Sequence, residues 1–422
     1  MAADSQENDN LARSPFRFGP GLLVAAAFIG PGTITVASQA GAAHGGGLMW
    51  VVALSVIGAI VLQQLAARLG VLSGSGLSEC VRTRLKGSPA FYFAVILIIA
   101  AIGIGNAAYQ TGNLAGAATG LSILIPITTQ SWVVILGGFV IALLWFGNYQ
   151  WLQRTLVALV CLLSVAFIVT ALISTRDWPR LLTETTSLKF PDGGLNLVLG
   201  LIGTTIVPYN LFLHSSTAAK TWGGASANGD NIDRSRALKE ALWDTRLSIG
   251  LGGIVTAAVL ITASNTFFVR GEQLEKLPEV ATQLEPLFGS LARVAFALGL
   301  FAAGLTSSIT APLATAFAVR GLFEGDATES TKLFRWIAIA VVATGIIFAV
   351  LAGGAPQETI SLAQVANGIL LPIIATLVLW AALASNLPNA SMSLLQRILA
   401  SSVVLAVTAL SLWRLLSLAI GS

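Results

Sequence analysis

Two interruptions inside otherwise apolar stretches constrain this chain more than any other feature: Gly30-Pro31-Gly32 in the first such stretch and Pro208-Tyr209-Asn210 in a later one. A backbone released from helix inside a bilayer leaves N–H and C=O groups without partners. That is tolerated only where protein or a water-filled cavity satisfies them. The breaks therefore point to a binding cavity, and paired breaks in corresponding positions of two halves point to a substrate site near the membrane midplane.

The surroundings of the breaks fix the class. Of 422 residues, 55% are hydrophobic and 10% charged, against roughly 25% charged in soluble domains, which makes this an integral, multi-pass membrane protein. Crossing ~30 Å of hydrocarbon takes roughly 20 helical residues. Runs of that kind lie near 18–43, 47–72, 90–122, 132–148 and 153–175, then near 194–219, 243–268, 290–322, 333–353, 358–385 and 394–419. The fold class is all-α with about eleven transmembrane helices. The two breaks open two groups of five spans, which implies a 5+5 inverted repeat with broken first and sixth helices. Residues 1–16 are expected to be a disordered cytoplasmic tail, 17–385 the transporter core of spans one to ten, and 386–422 an additional C-terminal span.

Loop charge sets the orientation. Arg13, Arg17, Arg82, Arg84, Lys86, Lys220, Arg234, Arg236, Lys239, Lys332 and Arg335 share one side of an eleven-span chain, and Glu272, Glu275, Glu279 and Glu285 lie on the other. The positive-inside rule makes the basic side, and the N-terminus, cytoplasmic, as expected for the cell (inner) membrane. The net charge of +4 is spread over short loops, so nucleic acid is excluded as a partner. Cys80, placed in the loop after the second span, and Cys161, inside a span, give neither a disulfide framework nor a CxxC site. No GxxxxGK[ST] loop occurs, so neither ATP hydrolysis nor any other enzymatic activity is expected, and no cofactor is implied. Asp244, Arg246, Arg68 and Arg293 are placed near span ends, as a gate, a helix-end pair or snorkelling cations. The partners expected are the transported ion or small solute and the lipid bilayer.

Several runs resemble Nramp-type divalent metal transporters (natural resistance-associated macrophage proteins). Gly19-Pro20-Gly21 through Gly30-Pro31-Gly32 and the run Gln63 to Gly70 look like the family's first two helices. Gly203 to Ser215 resembles its broken sixth, Ala302-Ala303-Gly304 with Ser307 to Thr310 its eighth, and Ser361 to Val365 with Leu371-Pro372 its tenth. The resemblance implies the fold of the amino acid–polyamine–cation superfamily, and secondary active transport of a divalent metal ion by alternating access.

The departures fall on the metal ligands. Where the family's first helix reads Asp-Pro-Gly-Asn, this chain has Gly30 and Thr33; the sixth-helix Met is Val207, and the Ala whose carbonyl assists is Thr204. Gln110 and Asn113 stand where the family carries acidic residues on its proton route, and Tyr209 replaces the His after the sixth-helix Pro. No metal ligand set can be carried over. The substrate-binding candidates are Gly30, Thr33, Thr204, Val207, Tyr209, Asn210 and Gln364, with Thr35, Thr205 and Asn367 as further polar groups. Gln110, Asn113 and His214 are the coupling or gating candidates. For His214, a titrating role stands against a histidine packed on a neighbouring acceptor. With Gly in place of Asp, the half-helix N-termini favour anions, so a carrier of a small organic or anionic solute on the same fold is the alternative. A transport-inactive sensor or scaffold is disfavoured by the polar pocket and by the lack of a sizeable soluble domain.

Overall fold

The computed structural model describes residues 29–146, 150–188, 190–191, 194–223, 231–323, 332–353, 355–383 and 392–420. The expected N-terminal tail and the start of the first span lie outside these residues. Among them, ten helices are long and apolar enough to cross a membrane, and the regular structure is helical throughout.

The first interruption starts a helix. Gly30 is extended and caps α1 (Pro31–His44), with Pro31 in its first turn, where a missing N–H costs nothing. The helix α2 (Met49–Ser73) follows, then a short amphipathic α3 (Leu77–Leu85) that carries Cys80. Cys80 is therefore on a helix and buried, not in a loop: the polar residues around it cap and solvate one face of α3, while Leu77, Ser78 and Val81 pack inward with it. The long α4 (Pro89–Leu124) is followed by α5 (Thr129–Phe146), α6 (Gln150–Ser174) and a surface helix α7 (Trp178–Thr186), which Asp177 caps through the Arg180 N–H.

The second half opens with a span split in two, α8 (Leu195–Thr205) and α9 (Pro208–Trp222), joined by the non-helical Ile206 and Val207. Then come α10 (Asn231–Thr266), a 3₁₀ stretch over Leu277–Leu284, and α11 (Ala292–Phe323). The bundle ends with α12 (Lys332–Leu351), α13 (Pro356–Leu383) and α14 (Leu394–Ile420). One boundary differs from expectation: the seventh span was placed from 243, but α10 begins at Asn231. Its polar first turns continue the helix beyond the apolar run, helped by the i,i+4 pair of Arg236 with Glu240 at 3.0 Å. Asp244 and Arg246 consequently lie well inside a helix instead of at its start.

Among the candidate spans of the described residues, the split span α8–α9 is the most deeply buried. Every residue from Val198 to Ser215 is buried, whereas α5, α6, α12 and α14 turn many large apolar side chains outward, among them Val134, Leu172, Phe348 and Leu416. Spans with apolar outer faces around a core that carries polar groups suit lipid as the surrounding solvent. Helices approach closely where glycine permits it. A Cβ on Gly304 of α11 would sit 2.6 Å from the Asn113 carbonyl and from the Ala117 nitrogen of α4, so α4 and α11 pack backbone against backbone, as small residues allow in membranes.

Candidate functional site

Both interruptions arrive at one place. The carbonyl of Thr204 would bond to the N–H of residue 208, but Pro208 has none, so this oxygen is released where α8 ends. Thr33, in the first turn of α1, and Thr204, in the last turn of α8, share a buried hydrogen bond of 2.8 Å between their hydroxyl oxygens. Gln364 of α13 lies across both elements. Its amide occupies the space that a side chain on Gly32 would fill, and its backbone abuts Gly203. Any side chain at position 32 would have to displace the Gln364 amide.

On the other side of Gly30 the site is built by α4, α9 and α11. A Cβ on Gly30 would point at Ser307 Oγ (3.1 Å), Tyr109 Oη (3.6 Å) and Asn113 Oδ1 (3.9 Å). Tyr109 packs edge-on against Tyr209, ring centroids 5.3 Å apart, which joins α4 to the first turn of α9. The cluster is buried and wholly neutral: Gly30 and Thr33, Tyr109 and Asn113, Thr204, Tyr209 and Asn210, Ser307 and Gln364. Several of its atoms are buried without a hydrogen-bond partner, namely Asn113 Nδ2, Asn210 Oδ1, Gln364 Oε1 and the nearby Ser308 Oγ, with Thr35 Oγ1, Gln110 Oε1 and Asn367 Nδ2 around them. Native interiors leave few such groups unsatisfied. Their concentration around two helix breaks marks a place where water or a solute supplies the missing bonds.

The sequence candidates divide accordingly. Gly30, Thr33, Thr204, Tyr209, Asn210, Gln364 and Asn113 come together. Val207 caps α9, fully buried, and contributes its position and carbonyl, which accepts from the Asn210 N–H at 3.1 Å. Thr205 bonds back to the Leu201 carbonyl at 2.8 Å within its own helix. Gln110 donates to the Ser308 carbonyl at 3.2 Å, one turn from Asn113. His214 stands apart: Nδ1 lies 2.8 Å from Gln63 Oε1 of α2 and Nε2 lies 3.5 Å from Thr245 Oγ1 of α10. It tethers α9 to two neighbours through neutral partners. Tyr109 and Ser307 were missed as site residues. The available signal was weak: a phenol and a hydroxyl within apolar spans, whose helix faces only the packing of α4 and α11 reveals.

The site is closed at both ends. Towards the C-terminus of α1, Gln283 of the 3₁₀ stretch donates to Ser38 Oγ at 2.9 Å and accepts from Thr262 at 2.8 Å, while Glu184 of α7 accepts from the Gly46 N–H at 2.7 Å. Towards the other end, Ser215 Oγ accepts from the Leu77 N–H at 2.9 Å.

A buried neutral cluster between the start of α1 and the interrupted span α8–α9, in a bundle with ten helices long and apolar enough to cross a membrane, is the arrangement of a multi-pass membrane transporter. Residues 21–417 match the family model described as Nramp, natural resistance-associated macrophage protein-like, and the chain belongs to that family. A divalent metal cation transporter, MntH, of Verminephrobacter eiseniae is 28% identical over 357 residues, covering 84% of this chain and 78% of that protein. The manganese transporter of Eremococcus coleocola, crystallised with an aromatic bis-isothiourea compound, superposes with a TM-score of 0.72 at 23% identity, over 94% of this chain and 85% of that one. A nucleobase-cation-symport-1 family transporter shares the fold more distantly, with a TM-score of 0.57 at 14% identity, over 93% and 91% of the two chains. Among the described residues no group of three or more His, Cys, Asp or Glu side chains is placed to hold a metal ion.

Proposed function

We propose that the protein is a secondary active transporter that moves a divalent metal cation across the membrane by alternating access, through a site made of neutral oxygens. The observation that carries this reading is the convergence of both helix breaks on one buried polar cluster, in a chain of a family whose named relatives carry divalent metals. The donors on offer are Thr33 Oγ1, Thr204 Oγ1, the Thr204 carbonyl, Asn113 Oδ1, Asn210 Oδ1 and Gln364 Oε1. All are hard oxygens, without sulfur or imidazole, which favours a hard cation. With no carboxylate to replace its hydration, such an ion keeps several waters, as magnesium does in most of its sites. Cis ligands at ~2.1 Å from an octahedral ion are ~3.0 Å apart, close to the 2.8 Å between the two threonine hydroxyls.

Alternating access breaks different contacts on each side. Opening at the C-terminal end of α1 separates Gln283 from Ser38; opening at the other end separates Ser215 from α3. His214 acts as a gating tether with Gln63 and Thr245, and Gln110 and Asn113 line the path beside the site. Spans one to ten, within 17–385, form the transporter core, in which the first and sixth helices move against a scaffold, and 386–422 adds a further span. The basic loops support a cytoplasmic N-terminus and the cell membrane as the location.

The lack of any anionic side chain in the cluster favours one competing reading, a small anionic solute at the helix N-termini. Isothermal titration of the purified protein with magnesium, manganese and small carboxylates separates the two. Saturable heats with the divalent ions support cation transport, and heats with the carboxylates alone reject it.

A further inference from the structure

Away from the transport site, α2, α10 and the start of α14 enclose a cavity of about 300 Å³. Two guanidiniums line it, Arg68 of α2 and Arg246 of α10, together with Gln64, Ser393, Gln396 and Leu399. No carboxylate is among its lining residues. Arg68 Nε is buried and has no hydrogen-bond partner, and the ion pairs of the described residues, Arg180–Glu184 and Arg236–Glu240, involve neither arginine of the cavity. Arg246 is exposed and Arg68 half-buried, so it is the Arg68 guanidinium whose desolvation an anion in the recess would offset.

The rim adds direction. Ser393 and Gln396 exchange hydrogen bonds across the first turn of α14, Ser393 N–H to Gln396 Oε1 at 3.1 Å and Gln396 N–H to Ser393 Oγ at 3.2 Å, so the helix N-terminus, with its positive dipole end, opens beside the cavity. Leu395 of the lining is 65% exposed, and Trp243 and Leu247, neighbours in sequence of the lining residues Leu242 and Arg246 on α10, are 59% and 50% exposed. The recess thus sets two guanidiniums and three polar side chains among apolar lining residues, Val61, Leu65, Leu242, Met392, Leu395 and Leu399, and the apolar surface continues beyond it. It lies at the end of the bundle where α2 finishes and α10 and α14 begin, the end that carries Arg82, Arg84 and Lys86.

We propose that this cavity binds an anionic phospholipid: its phosphate between Arg68 and Arg246, its headgroup hydroxyls on Gln64 and Gln396, and its acyl chains along Leu395, Leu399 and Leu247. A free phosphate would satisfy the arginines equally, but it would leave the apolar rim without an occupant. Basic pockets between transmembrane helices accept such headgroups by charge-assisted hydrogen bonding. The lipid ties α14 to α2 and α10, of which α2 also packs on the broken helix α9, so occupancy reaches elements of the transport core.

The test is native mass spectrometry of the full chain in detergent, titrated with dioleoyl phosphatidylglycerol or dioleoyl phosphatidylcholine, with and without excess inorganic phosphate. The wild type retains phosphatidylglycerol in preference to phosphatidylcholine, and Arg246→Gln, a change at an exposed position, weakens that retention by roughly fivefold, the equivalent of ~1 kcal/mol for one arginine near a lipid surface. Arg414→Gln, at the far end of α14, keeps it. Equal retention of the two lipids, unchanged retention by Arg246→Gln, or an equal loss in Arg414→Gln overturns the site. Displacement of phosphatidylglycerol by inorganic phosphate at equal concentration overturns the lipid as its occupant.

Discussion

Replacing Gly30 by Asp restores a carboxylate at the break of the first span, and the structure allows its effect to be worked out. Gly30 has φ −112° and ψ −176°, an extended conformation open to any residue, so the substitution carries no backbone strain. Its Cβ meets Ser307 Oγ at 3.1 Å, a tight contact that a small rotation of the serine relieves. Position 30 is also the N-cap of α1, where Asp is favoured over Gly by only about a few tenths of a kcal/mol, so the cap itself is not disturbed. The variant therefore folds. Unit charges 4 Å apart attract by ~4 kcal/mol at an effective dielectric of about 20, so a carboxylate and a divalent ion attract by roughly twice that. Desolvation of the buried carboxylate takes back several kcal/mol, leaving about 3 kcal/mol, or roughly 100-fold in affinity. Isothermal titration of wild type and Gly30→Asp with manganese and magnesium reads this directly. Tighter binding of both ions by about two orders of magnitude is expected. An unchanged affinity would refute the argument, because the ion would then lie too far from position 30 for a new charge to reach it.

Three further outcomes follow from the same geometry. Thr33→Ala leaves Thr204 Oγ1 buried without its 2.8 Å partner and Thr204→Ala removes the other side of that bond; each should cost ~1–3 kcal/mol in the melting transition, and the double variant less than their sum, which a double-mutant cycle detects. Gly304→Ala sets a methyl group 2.6 Å from the backbone of α4 and should destabilise the protein by ~1–3 kcal/mol, read as a lowered melting temperature, while Gly103→Ala, where nothing lies within 4 Å, should not. His214→Gln, which keeps a hydrogen-bonding group between Gln63 and Thr245, should alter the uptake rate and leave the shape of its pH profile unchanged; a profile that flattens would make His214 a proton carrier and not a tether.

The parts of this molecule that were legible in the sequence are those fixed locally. Pro31 and Pro208 each stand beside Gly or a polar residue and start α1 and α9, whereas Pro312 and Pro372 lie inside α11 and α13, so the starts of α1 and α9 were legible from the local combination of residues and not from proline alone. Apolar runs likewise gave the spans, because lipid demands them. The polar first turns of α10 and the amphipathic α3 and α7 escaped that reading, since their helicity rests on caps and i,i+4 pairs and not on length of apolar run. At the site, Thr33, Thr204, Tyr209 and Asn210 were legible because they sit on the breaks themselves. Tyr109 and Ser307 were not, because their approach to Gly30 depends on how α4 and α11 cross, a property of paired helices. Likewise, which acceptor holds His214 is decided by Gln63, 151 positions away in sequence.

The central claim is that neutral oxygens alone carry a divalent cation through this fold, and uptake by the unmodified protein in sealed proteoliposomes tests it most directly, with magnesium and manganese supplied outside and a fluorescent indicator within. The account predicts saturable uptake of at least one of the two by the wild type, abolished when the hydroxyls of Thr33 and Thr204 are removed together. Uptake of neither ion by the wild type, alongside uptake by Gly30→Asp under the same conditions, would contradict it and assign the native pocket to a solute other than a metal.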